Sequence, residues 1–404
     1  MINLELPPKL EAARQGSRGL AEQLFRPISR KYDKQEHDYP EELRVLGGPR
    51  KAKTAEQIKE EQALRELAKA QEAKDEGKVK NGNNVQGIVS VTEMCRGDVG
   101  LMLSVPGVGL GNAAISAVAT PEQKARFGHC YASMAITEPS TGSDSANIST
   151  TAVLDGDEWV INGEKIFITA GERCDHVVVW ATLDKSMGKA AIKSFVVPRD
   201  APGCELVGLE DKLGLRASDT ATIRFDNCRV PKDNILGSPE VDAKKGFGGV
   251  MQTFDNTRPT VAAMALGVAR ASLDLTTEIL KKEGVKADYA KDMWHSSAIE
   301  AELYRMEAEW DAARLLTMKA AFMSDNKEPN SMEASMCKAK AGRMGNYVTL
   351  RCVELCQAMG YSETELLEKW ARDSKILDIF EGTQQIQLLI VARRLLGLSS
   401  AQLK

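Results

Sequence analysis

Strand-type alternation is confined to one central block of this chain, and that confinement limits the fold more than any other feature. Apolar and polar residues alternate at 151–154, 159–161, 166–169, 176–181, 194–197 and 221–225. On either side the apolar residues recur at helical spacing, over 10–46 and 89–127 before the block and over 259–282, 298–323, 331–359 and 384–396 after it. Strands grouped in this way do not build a doubly wound sheet, which needs strands and helices in alternation. The expectation is an α+β chain, mainly α, with a helical domain over 1–130, a β domain over 131–238 and a second helical domain over 239–404. Asp155-Gly156 and Asn162-Gly163 lie between strand-like runs, and both dipeptides suit hairpin turns that need positive φ.

Composition narrows the function classes. A net charge of -4 and 5% aromatic residues give no electrostatic or stacking drive toward nucleic acid or an anionic membrane. The eight cysteines include no C-x-x-C pair, and although Cys352 and Cys356 can share a helix face, no metal site is expected. The four histidines show neither metal nor triad spacing. Scattered thiols fit a reducing, cytoplasmic setting. The start of the chain resembles neither a secretory signal nor a transit peptide, and no apolar run is long enough to span a bilayer. The stretch over 50–80, within an apparent charged insertion at about 50–85, is dominated by Lys, Glu, Gln and Ala with a thin apolar stripe at Ile58, Leu64 and Leu67. Two readings stand for it: a solvated helix, or a helix that serves a partner or a lid.

Four segments carry a family signal. They read YASMAITEPSTGSD at 131–144, NGEKIFIT at 162–169, DKLGLRASDT at 211–220 and ARDSKILDIFEGTQQIQLLIVAR at 371–393. Together, in this order and at these separations, they resemble the acyl-CoA dehydrogenases from about residue 89 to the end. The resemblance implies an N-terminal helical domain, a middle β-barrel-like domain and a C-terminal four-helix bundle, with FAD between the last two. It implies dehydrogenation of an acyl-CoA to trans-2-enoyl-CoA, with electrons passing to an electron-transferring flavoprotein. Two alternatives keep the fold: an acyl-CoA oxidase that uses oxygen, and a flavin-poor structural subunit.

The chemistry takes a proton from carbon 2 of the thioester and a hydride from carbon 3. By resemblance Glu381, in Phe-Glu-Gly-Thr, is the base, and its backbone N–H helps to bind the thioester carbonyl, where negative charge develops. Gly382 permits a sharp turn there, and Thr383 suits the N-cap of a helix starting near Gln384. The bland alternative is a glutamate that complements a helix dipole. Thr137 is implied at the flavin ring, Ser143 at the FAD pyrophosphate or substrate, Ile168 and Thr169 beside flavin N5, and Thr383 and Gln385 also at FAD. Without the family signal, the TEPSTGSD loop would read as an ordinary Ser/Thr turn. Asp255 and Arg258 border the acyl-CoA pocket by resemblance, with Gly382 beside them. They also fit the start of a helix with Pro259 at an early position. Gly107-Val108-Gly109-Leu110-Gly111 lacks the dinucleotide spacing and is expected to be a close-packed helix connection lining the acyl pocket.

The resemblance breaks at two neighbour-facing motifs. The family's Arg-x-x-Phe-Gly is replaced by Lys281-Lys282-Glu283-Gly284-Val285-Lys286, and its Gln-Gly-Gly stretch by Gln357-Ala358-Met359-Gly360. Two assemblies are therefore in view: a homotetramer, or an α2β2 hetero-oligomer with a related subunit, as in some actinobacterial relatives that act on sterol side-chain thioesters.

Overall fold

The fold is taken from a computed structural model that describes residues 5–47, 63–64, 82–107, 109–241, 248–288, 290–399 and 402–403. For 248–256 and 293 only the backbone is described. Apart from residues 63–64, the charged stretch over 50–80 lies outside the described residues.

The first domain is helical. Helix α1 (Pro8–Leu20) runs through a π-helical turn, Ala21–Phe25, into α2 (Arg26–Lys34). After the charged stretch come α3 (Asn83–Met94), α4 (Val99–Leu103), α5 (Leu110–Val118) and α6 (Pro121–Phe127). Their starts are read in the sequence by side chains that satisfy free N–H groups. Asp98 accepts from Leu101 N at 2.9 Å, and Thr120 and Gln123 form a capping box with Pro121 in the first turn. The Gly-rich stretch at the start of α5 is a packing device. A Cβ on Gly109 would lie 2.3 Å from the Ala132 carbonyl, and one on Gly111 would lie 2.3 Å from that of Ser133.

The middle domain is a seven-stranded curled sheet: β1 (Ala132–Ala135), β2 (Thr151–Asp155), β3 (Glu158–Thr169), β4 (His176–Thr182), β5 (Ile192–Pro198), β6 (Cys204–Leu209) and β7 (Thr220–Pro231). The strands run β1-β4-β2-β3-β7-β6, with β5 paired to β4. Asp155-Gly156 does make the β2–β3 turn, with Gly156 at φ 62°. Asn162-Gly163 does not: β3 continues through it, the ladder with β7 shifts register there, and Gly163 leaves room for Thr150, whose Oγ1 would lie 2.4 Å from a Cβ. A dipeptide that tolerates positive φ serves a bulge as well as a hairpin. Strands β1 and β6 were not legible, being a small-residue segment and a largely exposed edge.

The C-terminal region holds α7 (Gly248–Lys282), α8 (Ala298–Asp325), α9 (Ser331–Leu355), α10 (Gln357–Tyr361), α11 (Leu367–Ser374) and α12 (Gln384–Leu396). Pro259 lies inside α7 rather than at its start, so the helix there goes without one internal hydrogen bond. The helix expected over 331–359 breaks at Cys356, and Gln357 takes φ 49°. Small residues let α7 and α9 approach closely, with Gly345 placed so that a Cβ would lie 3.3 Å from that of Ala265. The last turn of α8 supports the first domain, since the Asp325 carboxylate accepts from the backbone N of Gly82, Asn84 and Val85 at 2.8–3.0 Å.

A buried ionic junction joins all three regions. Lys369, on α11, donates to Asp98 and to Asp373 at 2.5 Å each, and all three side chains are buried. Burial pulls the Lys369 pKa down, but Asp373 and Asp98 overcome it and hold the ammonium protonated. Asp373 also accepts from Leu215 N, in the β domain, at 2.7 Å. Arg372 reaches Asp33 of α2 at 2.7 Å and the Leu213 carbonyl at 3.0 Å. Helix α11 leads directly into the segment that carries Glu381, so this junction sets where that segment stands relative to the sheet.

Candidate active site

The turn before α12 is built from two consecutive left-handed residues, Glu381 at φ 57° and Gly382 at φ 91°. Glycine takes this conformation freely, whereas glutamate pays steric strain unless its surroundings fix it. They do so here. Gln387 donates from Nε2 to the Glu381 carbonyl at 2.9 Å and to that of Gly382 at 3.1 Å. Lys338 of α9 donates to the Gly382 carbonyl at 2.6 Å. Thr383 caps α12 as expected, its Oγ1 accepting from Ile386 N at 3.4 Å. Gln384, with its amide nitrogen turned inward, donates to the Ala339 carbonyl at 3.0 Å and to Asp378 Oδ1 at 2.9 Å.

The Glu381 carboxyl lies deep in the protein while the residue as a whole keeps some accessible surface. Thr257 Oγ1 of α7 donates to its Oε2 at 2.8 Å. Burial raises its pKa above the ordinary carboxylate value, against the Thr257 hydrogen bond and the charges of Arg258 and Lys338, which pull it down. An acid so balanced can accept a proton from a weakly acidic carbon without being tied up in a salt bridge. The Glu381 N–H has no acceptor among the described residues.

The other group of expected site residues lies on the sheet. Between β1 and β2 the loop over 136–150 folds onto β3, with Ile166 N donating to the Thr137 carbonyl at 2.9 Å. Lys165, fully buried, donates to the Ile136 carbonyl and to Glu138 Oε1, each at 2.9 Å, so it grips the chain on both sides of Thr137. Glu138 also accepts from Ser149 N and Thr150 N, at 2.7 and 2.8 Å, and from both their hydroxyls. Burial would raise its pKa, but Lys165 and these donors bring it down to about 2. Just beyond Lys165, β3 slips register with β7, and Phe167 takes φ 56° with its ring 60% exposed. An aromatic ring turned outward at a strained bulge is a common sign of a binding face.

The structure thus brings the expected residues into two sets. Thr137, Ser143, Ile168 and Thr169 belong to the sheet side. Of these, Ser143 is exposed, Thr137 and Thr169 are half-buried, and the Ile168 side chain lies in the sheet core, leaving only its backbone for a ligand. Glu381, Gly382, Thr383 and Arg258 belong to the helical side, and Gln385 is exposed on the first turn of α12. Among the described residues no hydrogen bond joins Thr137, Ser143, Ile168 or Thr169 to Glu381. The side chain of Asp255 lies outside the described residues. Three contributors were missed from sequence: Thr257, Phe167 and Lys338. Lys338 did leave a signal, since it recurs at helical spacing with Ala334, Ala341, Gly342 and Gly345 on the buried face of α9.

The residues on the sheet side suit a flavin. The hydroxyls of Thr137, Ser143 and Thr169 have no partner among the described residues, and Phe167 is exposed on the strand that ends at Thr169. Comparison with known proteins gives the family. Residues 133–228 match the acyl-CoA dehydrogenase middle domain, and residues 244–396 match the acyl-CoA dehydrogenase C-terminal domain. The chain is 34% identical to the mitochondrial short-chain specific acyl-CoA dehydrogenase of Bos taurus, over 98% of this chain and 92% of that one. It is 32% identical to a subunit of the caffeyl-CoA reductase–Etf complex of Acetobacterium woodii, over 78% of this chain and 83% of that one. The solved butyryl-CoA dehydrogenase of Megasphaera elsdenii superposes with a TM-score of 0.81 at 28% identity, covering 98% of this chain and all of that one. On the strength of the fold, the site and these similarities, the chain belongs to the acyl-CoA dehydrogenase family of FAD-dependent oxidoreductases.

Proposed function

We propose that this enzyme removes a proton from carbon 2 and a hydride from carbon 3 of a short-chain acyl-CoA, giving trans-2-enoyl-CoA, with Glu381 as the base. The observation that carries the reading is the Glu381 carboxyl itself. It is deep, held by Thr257, flanked by two cations and mounted on a backbone that its neighbours force into a left-handed turn. FAD, when bound, supplies the hydride acceptor. Thr137, Ser143, the backbone of Ile168, Thr169, Thr383 and Gln385 would hold that cofactor; Ser143, Asp255, Arg258 and Gly382 would border the substrate. The Glu381 N–H would donate to the thioester carbonyl, which acidifies carbon 2 and stabilises the charge that forms there. The carboxylate then takes the proton, and a buried setting keeps water from competing for it.

By similarity to the Etf-complex subunit, the electrons go to an electron-transferring flavoprotein. We also read the enzyme as an oligomer, either a homotetramer or an α2β2 assembly. Leu350, Tyr361, Leu388, Leu395 and Leu396 expose apolar surface on the C-terminal helices, which supports this. All eight cysteines are free, in keeping with a reducing cytoplasm. Among the described residues no helix is long and apolar enough to cross a membrane.

The test is anaerobic addition of an acyl-CoA panel, beginning with butyryl-CoA, to the purified yellow protein and to Glu381→Gln. Wild type should bleach. The variant should keep its flavin and bind the thioester while turnover falls roughly a thousandfold or more. Near-normal turnover in Glu381→Gln would remove this residue from the mechanism.

A further inference from the structure

Lys338 lies outside the motif that carries the base, yet it is built into the base's turn. Its side chain is fully buried on a face of α9 made otherwise of small residues. A buried ammonium is costly unless a partner receives it, and the partner is the Gly382 carbonyl at 2.6 Å. Gln387 donates to that carbonyl and to the Glu381 carbonyl before it. Side chains from α9 and α12 therefore hold both carbonyls of the left-handed pair.

The charges around the base come from three elements. Arg258 faces it from α7, Lys338 from α9, and Asp378 faces Lys338 from the segment leading into the turn. The Cys337 thiol faces Arg258 and is pushed up to about 12 by burial, so it adds no charge near neutrality. Among the described residues, two cations thus stand against two carboxylates. When Glu381 accepts the proton from carbon 2, the cluster is left with one excess positive charge. On the reading of Glu381 as base, that charge would lie beside the deprotonated thioester, an arrangement that favours the charge-separated side of the transfer.

Resting on the reading of Glu381 as base, we propose that Lys338 is a positioning residue for proton abstraction: from α9 it fixes the Glu381–Gly382 turn through the Gly382 carbonyl and sets a buried positive charge beside the base. Lys338 neither gives nor takes the proton. Burial pulls its own pKa down to about 8, and Asp378 and Glu381 resist that fall, so the ammonium depends on the carboxylates it serves.

The test uses holoenzyme carrying Lys338→Met or Lys338→Gln; the glutamine keeps a donor for Gly382 without the charge. The readouts are the pH dependence of kcat/KM with an acyl-CoA that wild type oxidises, flavin content, and affinity for a non-reacting CoA thioether. Both variants should hold flavin, and both should move the acid limb upward by about one pH unit or more, because an opposite charge has left the carboxylate. Lys338→Arg should leave the limb in place. A limb that stays at the wild-type pH in both neutral variants, with only its height reduced, overturns the proposal. Failure of both neutral variants to fold also overturns it, because Lys338 is then a scaffold group. Glu381→Gln run in parallel separates the two readings: if it turns over, the base assignment falls; if it is silent and the limb has not moved, only the role of Lys338 falls.

Discussion

Two buried lysines hold the two halves of this site, and they do so in opposite ways. On the sheet, Lys165 meets a carboxylate: Glu138 takes its charge together with four further donors from Ser149 and Thr150. On the helical side, Lys338 is bonded to a backbone carbonyl, and the nearby carboxylate of Glu381 is left for other work. The carboxylates record the difference. Glu138 is held down at about 2, whereas burial wins at Glu381 and raises it. A carboxylate whose lone pairs are filled by the fold can only brace a loop. One that the fold desolvates and flanks with charge, without filling it, can act as a base. On the function proposed above, the same residue pair, lysine and glutamate, thus gives scaffold in one place and chemistry in the other.

The largest expected effect on stability comes from breaking the braced pair. Lys165→Met leaves Glu138 buried without its counter-charge and should cost about 3–5 kcal/mol, measured by urea unfolding. Restoring neutrality with Lys165→Met/Glu138→Gln should recover part of that loss. The two single changes should therefore couple strongly in a double-mutant cycle. Loss of the grip around Thr137 should also loosen flavin, seen as lower flavin content on purification. If Lys165→Met changes stability by less than about 1 kcal/mol, the pair is not the brace described here.

How far the sequence reached follows the same division. Gly382 and Thr383 were legible because a turn followed by a helix needs those residue types, whereas Glu381 was singled out only by the family resemblance of the motif around it. Thr383 caps α12 and Gly382 takes positive φ as expected. Lys338 and Thr257 were not, since they come from other helices and meet the turn only through packing. The hairpin expected at Asn162-Gly163 became a bulge because its chemistry fits both, and only the pairing of β3 with β7 decides between them. Pro259 was expected at a helix start, but α7 begins earlier and carries the proline inside. Helix-to-helix placement is non-local, and residue types at single positions do not encode it.

A smaller effect is expected from the turn glycine. At φ 91° an alanine at 382 is strained by about 1–2 kcal/mol, and its Cβ would lie 2.4 Å from Gln387 Nε2, displacing one of the donors that hold the turn. Gly382→Ala should keep its flavin spectrum and lose roughly ten- to a hundredfold in kcat/KM. Gly142 on the sheet side is the contrasting case: an added Cβ there meets only Thr137 Cγ2 at 3.8 Å, so Gly142→Ala should leave stability within about 0.5 kcal/mol of wild type.

The smallest effect is the sharpest test of the contrast, because the two carboxylates should respond to pH with opposite signs. Glu138 is depressed in the folded state from 4.5 to about 2, so the stability it contributes is present above 4.5 and lost as pH falls through that window. Glu381 is raised above 4.5, so the folded state holds its proton longer than the unfolded chain does. Its contribution is present below 4.5 and lost as pH rises through the folded value. Once ionised, Glu381 is therefore a liability to the fold. Glu381→Gln should raise the thermal midpoint at pH 7, on the order of 1 °C, and the gain should vanish near pH 4, where wild type is already protonated. Glu138→Gln should do the reverse, losing stability at pH 7 and approaching wild type as the acid window is crossed. Parallel pH profiles for the two variants would mean that both carboxylates are braces, and the distinction between scaffold and base would not hold.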